Sequence, residues 1–329
     1  MKRGKLAVRV LVSGGLLALL LVVLPAGEIW SSLRGFAPWV WACVLAGFLA
    51  GHRIGVEKWR LLLRTGGAPL TSRQAVTCYA SGLFANLYLP TIVGGDVLRA
   101  TLAARRADRT EAVVVGSLGD RAVDVAALVL LIAAGGLATG TALEGTAGRV
   151  ILVAAAAGLG VAAVGLPVLL RTPLRRWPRR LRRPVGRALV ALRRLAREPG
   201  TAAAALGLSL AMQSGFVLLN AWIGAGVGID VPLAAWFLVW PLAKGVALLP
   251  VSIGGLGVRD ATLGALLVPL GVPMDLGVAA SFVWQSVLVA GGLVAGLVWR
   301  LGSRGAGGDD APDGDTATRR GAAGTLEHV

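Results

Sequence analysis

Two arginines follow the same pattern of proline and glycine in an otherwise apolar chain. The stretches LPTIVGGDVLRA (residues 89–100) and LPVSIGGLGVRD (residues 249–260) share the layout L-P-x-x-[VI]-G-G-x-x-x-R, which ends at Arg99 and at Arg259. Proline removes a helix amide, and glycine permits turns that are closed to other residues. Each motif is therefore predicted to end one half-helix and begin another, whose free amide groups and nearby guanidinium would bind a phosphate or a carboxylate.

Outside the two motifs, Lys244 and the pair Asp120 and Arg121 extend this candidate binding site, because they lie in or at the edge of other apolar segments. An ionisable side chain at membrane depth is costly and is by default a functional candidate with a partner. Lys244 lies in the apolar run WFLVWPLAKGVALLP. A carboxylate of Asp96, Asp120 or Asp260 is expected to pair with it. The predicted substrate-binding residues are Pro90, Gly94, Gly95, Asp96, Arg99, Asp120, Arg121, Lys244, Pro250, Gly254, Gly255, Gly257, Arg259 and Asp260.

Each of these features also has a structural explanation. The motifs could be surface turns whose arginines reach lipid phosphates, and the flexible stem of Lys244 could carry its ammonium group to the membrane interface. Asp120 and Asp124 share a helical face, so ion pairing with the basic loops competes with a role in substrate binding. Neutral polar residues within apolar segments are expected to bond between helices; these are Asn86, Gln213, Asn220 and Gln285.

The composition requires a lipid environment. Of the 329 residues, 56% are hydrophobic and 15% are charged, and the mean hydropathy is +0.74, so the apolar surface is too large for a soluble fold of this length. The formal net charge of +16 comes from basic residues in short segments between apolar runs. This is the positive-inside pattern and indicates anionic lipid partners rather than nucleic acid. The chain is predicted to be an all-α polytopic membrane protein.

Apolar runs long enough to cross a bilayer predict about six transmembrane helices. They cover residues 10–27, 38–51, 112–137, 150–170, 202–223 and 276–299, and a cleaved signal peptide is the alternative for the first. Residues 52–73 and the arginine-rich residues 171–200 are predicted to be cytoplasmic loops. Both termini are then cytoplasmic. A membrane domain is expected over residues 1–302 and a disordered tail over residues 303–329.

The two motif-bearing elements are predicted to be re-entrant and inverted relative to each other. Three predicted spans separate them, so the first enters from the cytoplasmic side and the second from the outer side. Inverted repeats with Pro/Gly-interrupted segments at matching places indicate a transport site near the midplane. Backbone that leaves helical pairing at that depth must line a protein-enclosed or watery cavity.

The segments NLYLPTIVGGDVLRA and LLPVSIGGLGVRDA resemble the membrane region of lysylphosphatidylglycerol synthases and the larger flippase-like family built on that region alone. EKWRLLLRTGG (residues 57–67) and SLGDRAVDV (residues 117–125) also look like the family's pattern, and the resemblance covers nearly all of residues 10–299. It implies the movement of aminoacylated phospholipid, other lipids or lipid-linked sugars between leaflets. The synthases carry a large lysyl-transferase domain after the membrane part, whereas only a short polar tail follows here, so aminoacyl transfer is not expected.

The resemblance also selects residues within the two motifs. It favours Pro90, Gly95, Asp96, Arg99, Pro250, Gly254, Gly255, Gly257 and Arg259. Asp260 stands where an acidic residue, often the longer glutamate, is expected in the family. The distance to a headgroup is expected to differ accordingly.

These observations predict a plasma-membrane lipid translocase without enzymatic activity, which moves an anionic phospholipid or a lipid-linked glycan between leaflets. One alternative is a non-catalytic membrane partner of an envelope glycosyltransferase or of a lipid-modifying enzyme. The other is a lipid-modifying enzyme with Asp96 or Asp120 as general base. No cofactor or metal is expected, because the 2 cysteines and 2 histidines form no cluster and no nucleotide-binding loop is visible.

Overall fold

Helices form the whole of the described fold. The computed structural model describes residues 27, 34–89, 92–107, 109–139, 197–247 and 257–304. Its α-helices are α1 (Pro38–Gly66), α2 (Ser72–Ala85), α3 (Ile92–Ala104), α4 (Thr110–Thr139), α5 (Pro199–Gly226), α6 (Leu233–Ala247), α7 (Val258–Leu267) and α8 (Met274–Arg304), and a 3-10 turn, Val268–Leu270, follows α7. By length and composition, α1, α4, α5 and α8 can each cross a membrane. The prediction of an all-α polytopic membrane protein is confirmed.

Helix α1 is much longer than the sequence predicted. The predicted span ended at residue 51, and the next residues were assigned to a basic loop, but the helix continues to Gly66. Pro38 lies in its first turn. Gly67, which has a φ of 93° in the left-handed region, caps its C-terminal end. The prediction of a loop over residues 52–66 is therefore wrong, and His52 and Lys58 belong to a membrane-crossing helix.

The other boundaries differ less. Helix α4 covers the predicted span over residues 112–137, and α5 covers the one over residues 202–223. Helix α8 continues through Ser303 and Arg304, which the sequence assigned to the tail. The predicted spans over residues 10–27 and 150–170, the arginine-rich loop up to residue 196 and the tail beyond residue 304 lie outside the described residues.

Helices α1 and α5 run antiparallel and pack through glycines. A Cβ atom at Gly47 would meet Leu219, one at Gly51 would meet Phe216, and one at Gly55 would meet Met212. The residue numbers rise along α1 as they fall along α5, which defines the antiparallel direction. Without a hydrophobic driving force in lipid, such close backbone approach is what holds helices together.

The helices form two groups of four with matching contacts. Within the groups α1–α4 and α5–α8, the first helix contacts the second and the fourth, the second contacts the third, and the third contacts the fourth. Between the groups, α2 packs on α8 and α6 packs on α4. The pair of short helices α2 and α3 is therefore attached to α8 through α2, and the pair α6 and α7 is attached to α4 through α6. Both pairs border one central space.

An aromatic cluster fills one side of that space. The Phe48 ring centroid lies 5.8 Å from that of Phe216 and 5.7 Å from that of Trp284. The Trp240 and Trp284 rings meet edge to face, with their centroids 5.1 Å apart. These residues come from α1, α5, α6 and α8, and rings at these distances attract one another beyond their area of contact. The cluster forms a rigid wall next to the two motifs.

Candidate functional site

The helix is broken at both motifs, as the sequence predicted. Helix α2 ends at Ala85 and α3 begins at Ile92, while α6 ends at Ala247 and α7 begins at Val258. Four of the predicted binding residues, Pro90, Pro250, Gly254 and Gly255, lie outside the described residues. Gly94 and Gly95 lie in the first turn of α3 and Asp96 follows directly after it, while Gly257, Arg259 and Asp260 lie at the start of α7.

Side chains cap the beginnings of both second half-helices. The Gly95 amide donates to the Asn86 side-chain oxygen at 3.1 Å, and the Gly257 amide donates to the Asp260 carboxylate at 2.9 Å. Gly257 has a φ of 77°, which only glycine adopts easily. The prediction that these ends present free amide donors to a ligand is wrong for these two groups, because the protein itself satisfies them.

Arg99 and Arg259 line the same internal cavity, which has a volume of about 560 Å³. Only 3% of Arg99 and 5% of Arg259 is exposed, although each is a long cationic residue. Asp96, Arg121 and Lys244 line the cavity as well. The alternative that the motifs are surface turns is wrong for both arginines, because their side chains are enclosed by the protein.

Arg99 is held from several directions. Its Nη2 atom donates to Asp120 Oδ2 at 2.7 Å, and its Nε atom lies 3.3 Å from Asp96 Oδ1. Its guanidinium carbon lies 5.0 Å from the ring centroid of Trp59 and 5.0 Å from that of Tyr79. Aromatic faces attract a desolvated cation. The guanidinium is therefore fixed in one orientation.

Lys58 completes an ion-pair network that the sequence did not predict. Its ammonium group lies 3.0 Å from Asp120 Oδ1 and also pairs with Asp124, which accepts a hydrogen bond from Ser209 at 2.6 Å. Arg121 pairs with Asp96 and, at 3.7 Å, with Asp124. The expected pairing of Asp120 and Asp124 with basic loops is thus replaced by pairing with buried cations. Two carboxylates one turn apart in an apolar helix were the signal for such cations.

Arg259 has different partners. Its Nη2 atom donates to Gln285 Oε1 at 2.8 Å and to Asp260 Oδ1 at 3.1 Å. Ser281 donates a hydrogen bond to the same carboxylate, and Asp260 itself is fully buried. The Nε atom of Arg259 is buried without an acceptor among the described residues. The guanidinium is attached to α8 through a neutral amide.

Lys244 pairs with a neutral residue instead of a carboxylate. Its Nζ atom donates to Gln213 Oε1 at 2.7 Å and lies 5.3 Å from the ring centroid of Phe216. The predicted pairing with Asp96, Asp120 or Asp260 is wrong, because Arg99, Arg121, Lys58 and Arg259 occupy those carboxylates. Lys244 lines the cavity and bonds to Gln213 there.

The neutral polar residues mostly bond between helices, as predicted. Gln213 connects α5 to α6, Gln285 connects α8 to α7, and Asn86 connects the end of α2 to α3. Asn220 is the exception, because it donates to the carbonyl of Phe216 in its own helix at 2.8 Å. Two further cavity residues were not predicted: the Nδ1 atom of His52 lies 3.3 Å from the Tyr79 hydroxyl, and both side chains line the cavity.

One margin of the cavity is apolar and exposed. Tyr88 beyond the end of α2, Val125 on α4 and Val289 and Leu293 on α8 line the cavity and are exposed at 66%, 40%, 41% and 54%. Helices α4 and α8 are not among the helix pairs that pack together in the described part of the chain. In a membrane-crossing bundle, exposed apolar side chains of this kind face lipid tails. We refer to these four residues as the apolar rim.

Comparison with known proteins agrees with the membrane architecture. A family model described as "Lysylphosphatidylglycerol synthase TM region" matches residues 6–296. Neither a curated protein nor a solved structure matches the chain significantly. The matched residues include both motifs, three of the long helices, α8 up to residue 296 and every charged residue that lines the cavity in the described part of the chain. This chain therefore belongs to the family of the lysylphosphatidylglycerol synthase transmembrane region and is an integral, multi-pass membrane protein of a lipid-related family.

Proposed function

We propose that this protein moves an anionic lipid, a phospholipid or a lipid-linked glycan, between the leaflets of the cell membrane. The main support is the cavity of about 560 Å³, into which both motif arginines and Lys244 project from broken helices. Charged side chains enclosed at membrane depth are costly, and a headgroup phosphate provides them with a counter-charge and with strong acceptor oxygens. The residues proposed to hold the headgroup are Arg99, Arg259 and Lys244.

The apolar rim supports a lipid as the substrate, in preference to a small water-soluble anion. A lipid needs a route by which its headgroup enters the protein while its tails stay in the bilayer. Tyr88, Val125, Val289 and Leu293 offer an exposed apolar border to a charged cavity. In the proposed mechanism the tails move along this rim, and the headgroup crosses through the charged interior.

The two groups of four helices support transport by an inverted repeat. Helices α1 and α5 are the first of each group and run antiparallel, and the contacts within one group recur in the other. We propose that the two broken helix pairs enter the membrane from opposite sides, with both termini cytoplasmic. The cavity then lies near the midplane, and tilting one group against the other would open it to each leaflet in turn.

A role in transport explains the two candidate carboxylates better than a role in catalysis does. Asp96 is paired with Arg99 and Arg121, and Asp120 is paired with Arg99 and Lys58. A carboxylate committed to two cations has little capacity left to accept a proton from a substrate. We therefore propose that the protein itself performs no chemistry on the lipid.

Translocation by purified protein in liposomes tests this function. Fluorescent phosphatidylglycerol in the inner leaflet becomes accessible to a membrane-impermeant quencher only after crossing. Wild type is expected to accelerate this crossing, and Arg99→Gln and Arg259→Gln to reduce the rate by roughly tenfold or more, the effect of losing one charged hydrogen bond. Arg53→Gln is the matched control, because the Arg53 side chain is 53% exposed.

The amount of lipid retained by the protein separates transport from a purely structural role. If wild type neither moves nor retains lipid beyond the bulk composition in native nanodiscs, the translocase proposal is wrong. A non-catalytic partner of an envelope enzyme then becomes the better explanation. That partner role would be supported if deletion of residues 171–196 abolished the protein's function in the cell while substitution of Arg99 or of Lys244 did not.

A further inference from the structure

The charges around the cavity are divided unevenly between its two sides. On the side formed by α1, α3 and α4, the charged residues that line the cavity in the described part of the chain all belong to one network. Its cations are Lys58, Arg99 and Arg121, and its carboxylates are Asp96, Asp120 and Asp124. Three positive charges are thus balanced by three negative ones, so Arg99 can donate hydrogen bonds to a headgroup but this side has no uncompensated charge for its phosphate.

The side formed by α6 and α7 has one positive charge in excess. Asp260 is committed to Arg259, to Ser281 and to the Gly257 amide. Among the described residues, the neutral oxygen of Gln213 is the only hydrogen-bond partner of Lys244, and one such bond uses one of its three N–H donors. Residues 248–256, between the two helices, contain no charged residue. The excess charge therefore belongs to Lys244.

Buried side-chain donors without hydrogen-bond partners lie on both sides of the cavity. On the α3–α4 side they are the Nε atoms of Arg99 and Arg121, and on the side of Lys244 they are the indole nitrogen of Trp240 and the Nε atom of Arg259, all counted among the described residues. Trp240 lies one helical turn before Lys244, and these two residues and Arg259 line the cavity. A buried donor without an acceptor is costly. A ligand with several acceptor oxygens and one negative charge would satisfy all three.

We propose that Lys244, Arg259 and Trp240 form the phosphate subsite, and that it is specific for a lipid whose headgroup carries one net negative charge on a phosphodiester. This inference rests on the proposed function and names the side of the cavity that binds the phosphate of the headgroup. A phosphomonoester carries up to two negative charges and would leave one unbalanced. A zwitterionic headgroup brings its own cation and leaves the charge of Lys244 without a counter-charge.

Competition between defined lipids tests the subsite. Purified protein is incubated with equal amounts of phosphatidylglycerol, phosphatidic acid and phosphatidylcholine, and the retained lipids are measured by native mass spectrometry. Wild type is expected to retain mainly phosphatidylglycerol. Lys244→Gln is expected to reduce that retention roughly tenfold. Lys244→Arg is expected to preserve it, because it keeps the positive charge that binds the phosphate. Trp240→Phe, which keeps the ring and removes the donor, is expected to lower retention severalfold.

The controls separate this inference from the proposed function. Each variant must unfold at the wild-type temperature, and Arg53→Gln must retain lipid as wild type does. If Lys244→Gln retains phosphatidylglycerol normally whereas Arg99→Gln does not, the phosphate binds on the α3 side and the inference is wrong, while the translocase proposal stands. Preferential retention of phosphatidic acid would contradict specificity for a headgroup with a single negative charge. If wild type retains no lipid selectively, the proposed function itself fails.

Discussion

Arg99 donates to a carboxylate oxygen of Asp120 at 2.7 Å, whereas Arg259, at the same place in the second motif, donates to the amide oxygen of Gln285 at 2.8 Å. The two arginines therefore have equivalent positions and unequal partners. Arg99 is balanced by carboxylates of α3 and α4, whereas Arg259 has the adjacent Asp260 as its carboxylate partner and the amide of Gln285 as its contact with α8. Among the described residues, near-identical motifs thus place one arginine in a network of several ion pairs and the other in a single ion pair.

Removal of the Asp120 carboxylate should destabilise the protein strongly. Asp120→Asn leaves two buried cations, Arg99 and Lys58, without their shared counter-charge. The loss of one partner from a buried ion pair costs about 3–5 kcal/mol. Chemical unfolding in detergent, followed by tryptophan fluorescence, measures the difference from wild type.

A matched variant in α1 shows whether burial is the cause. Glu57 pairs with Arg53 and Arg60 on the exposed side of α1, next to Lys58. Glu57→Gln is therefore expected to cost less than about 1 kcal/mol. Equal destabilisation by Asp120→Asn and Glu57→Gln would contradict a buried network as the stabilising element.

A large side chain on the apolar rim should slow lipid translocation. Val289 is 41% exposed and lines the cavity, so Val289→Trp is expected to narrow the passage between α4 and α8. The liposome assay should show a rate at least severalfold below wild type, with unchanged thermal unfolding. Val294→Trp is the control, because Val294 lies on the same helix, is 37% exposed and does not line the cavity. Equal rates for the two variants would exclude entry at the rim.

Cysteine accessibility tests the inverted repeat. In a protein lacking Cys43 and Cys78, single cysteines replace Arg105, after α3, and Asp230, before α6, both of which are exposed. A membrane-impermeant thiol reagent is expected to label Asp230→Cys from outside intact cells and Arg105→Cys only after permeabilisation. Labelling of both positions from the same side would contradict inverted entry of the two broken helix pairs.

A methyl group at Gly135 should push α4 away from α6. A Cβ atom there would lie 2.5 Å from the backbone nitrogen of Leu238 and 2.9 Å from the carbonyl oxygen of Phe237, and backbone atoms cannot move aside. Gly135→Ala is expected to lower the free energy of unfolding by about 1–3 kcal/mol. Gly215→Ala, in α5, has open space within 4 Å and should cost nothing. Similar unfolding curves for both variants would show that the α4–α6 contact tolerates separation.

Local chemistry in the sequence predicted the breaks in the fold. Proline and paired glycines act on the backbone within a few residues, so the interruption before Arg99 and before Arg259 follows from the sequence alone. The long apolar runs likewise predicted α4, α5 and α8 within a few residues of their ends. Spacing also placed the two arginines at equivalent positions, which the shared cavity supports.

The interior charges could not be assigned in the same way. The hydropathy of α1 includes the unfavourable burial of Lys58 but not its pairing with Asp120 and Asp124 of another helix. The predicted span therefore ends at residue 51, before the helix does. A buried lysine predicts a carboxylate partner, but the three candidate carboxylates pair with other cations and Lys244 bonds to Gln213. Partner choice in a buried network depends on the whole set of charges and on the packing of the helices, which no local pattern encodes.

The caps provided by Asn86 and Asp260 have a consequence for the resting protein. Because these side chains satisfy the amides of Gly95 and Gly257, the beginnings of α3 and α7 keep these hydrogen bonds when no lipid is bound. The two helices can therefore stay folded while the protein returns empty between transport cycles. Under the proposed function, net flow would then follow the relative abundance of the lipid in the two leaflets, and any enzyme that consumes it on one side would set the direction.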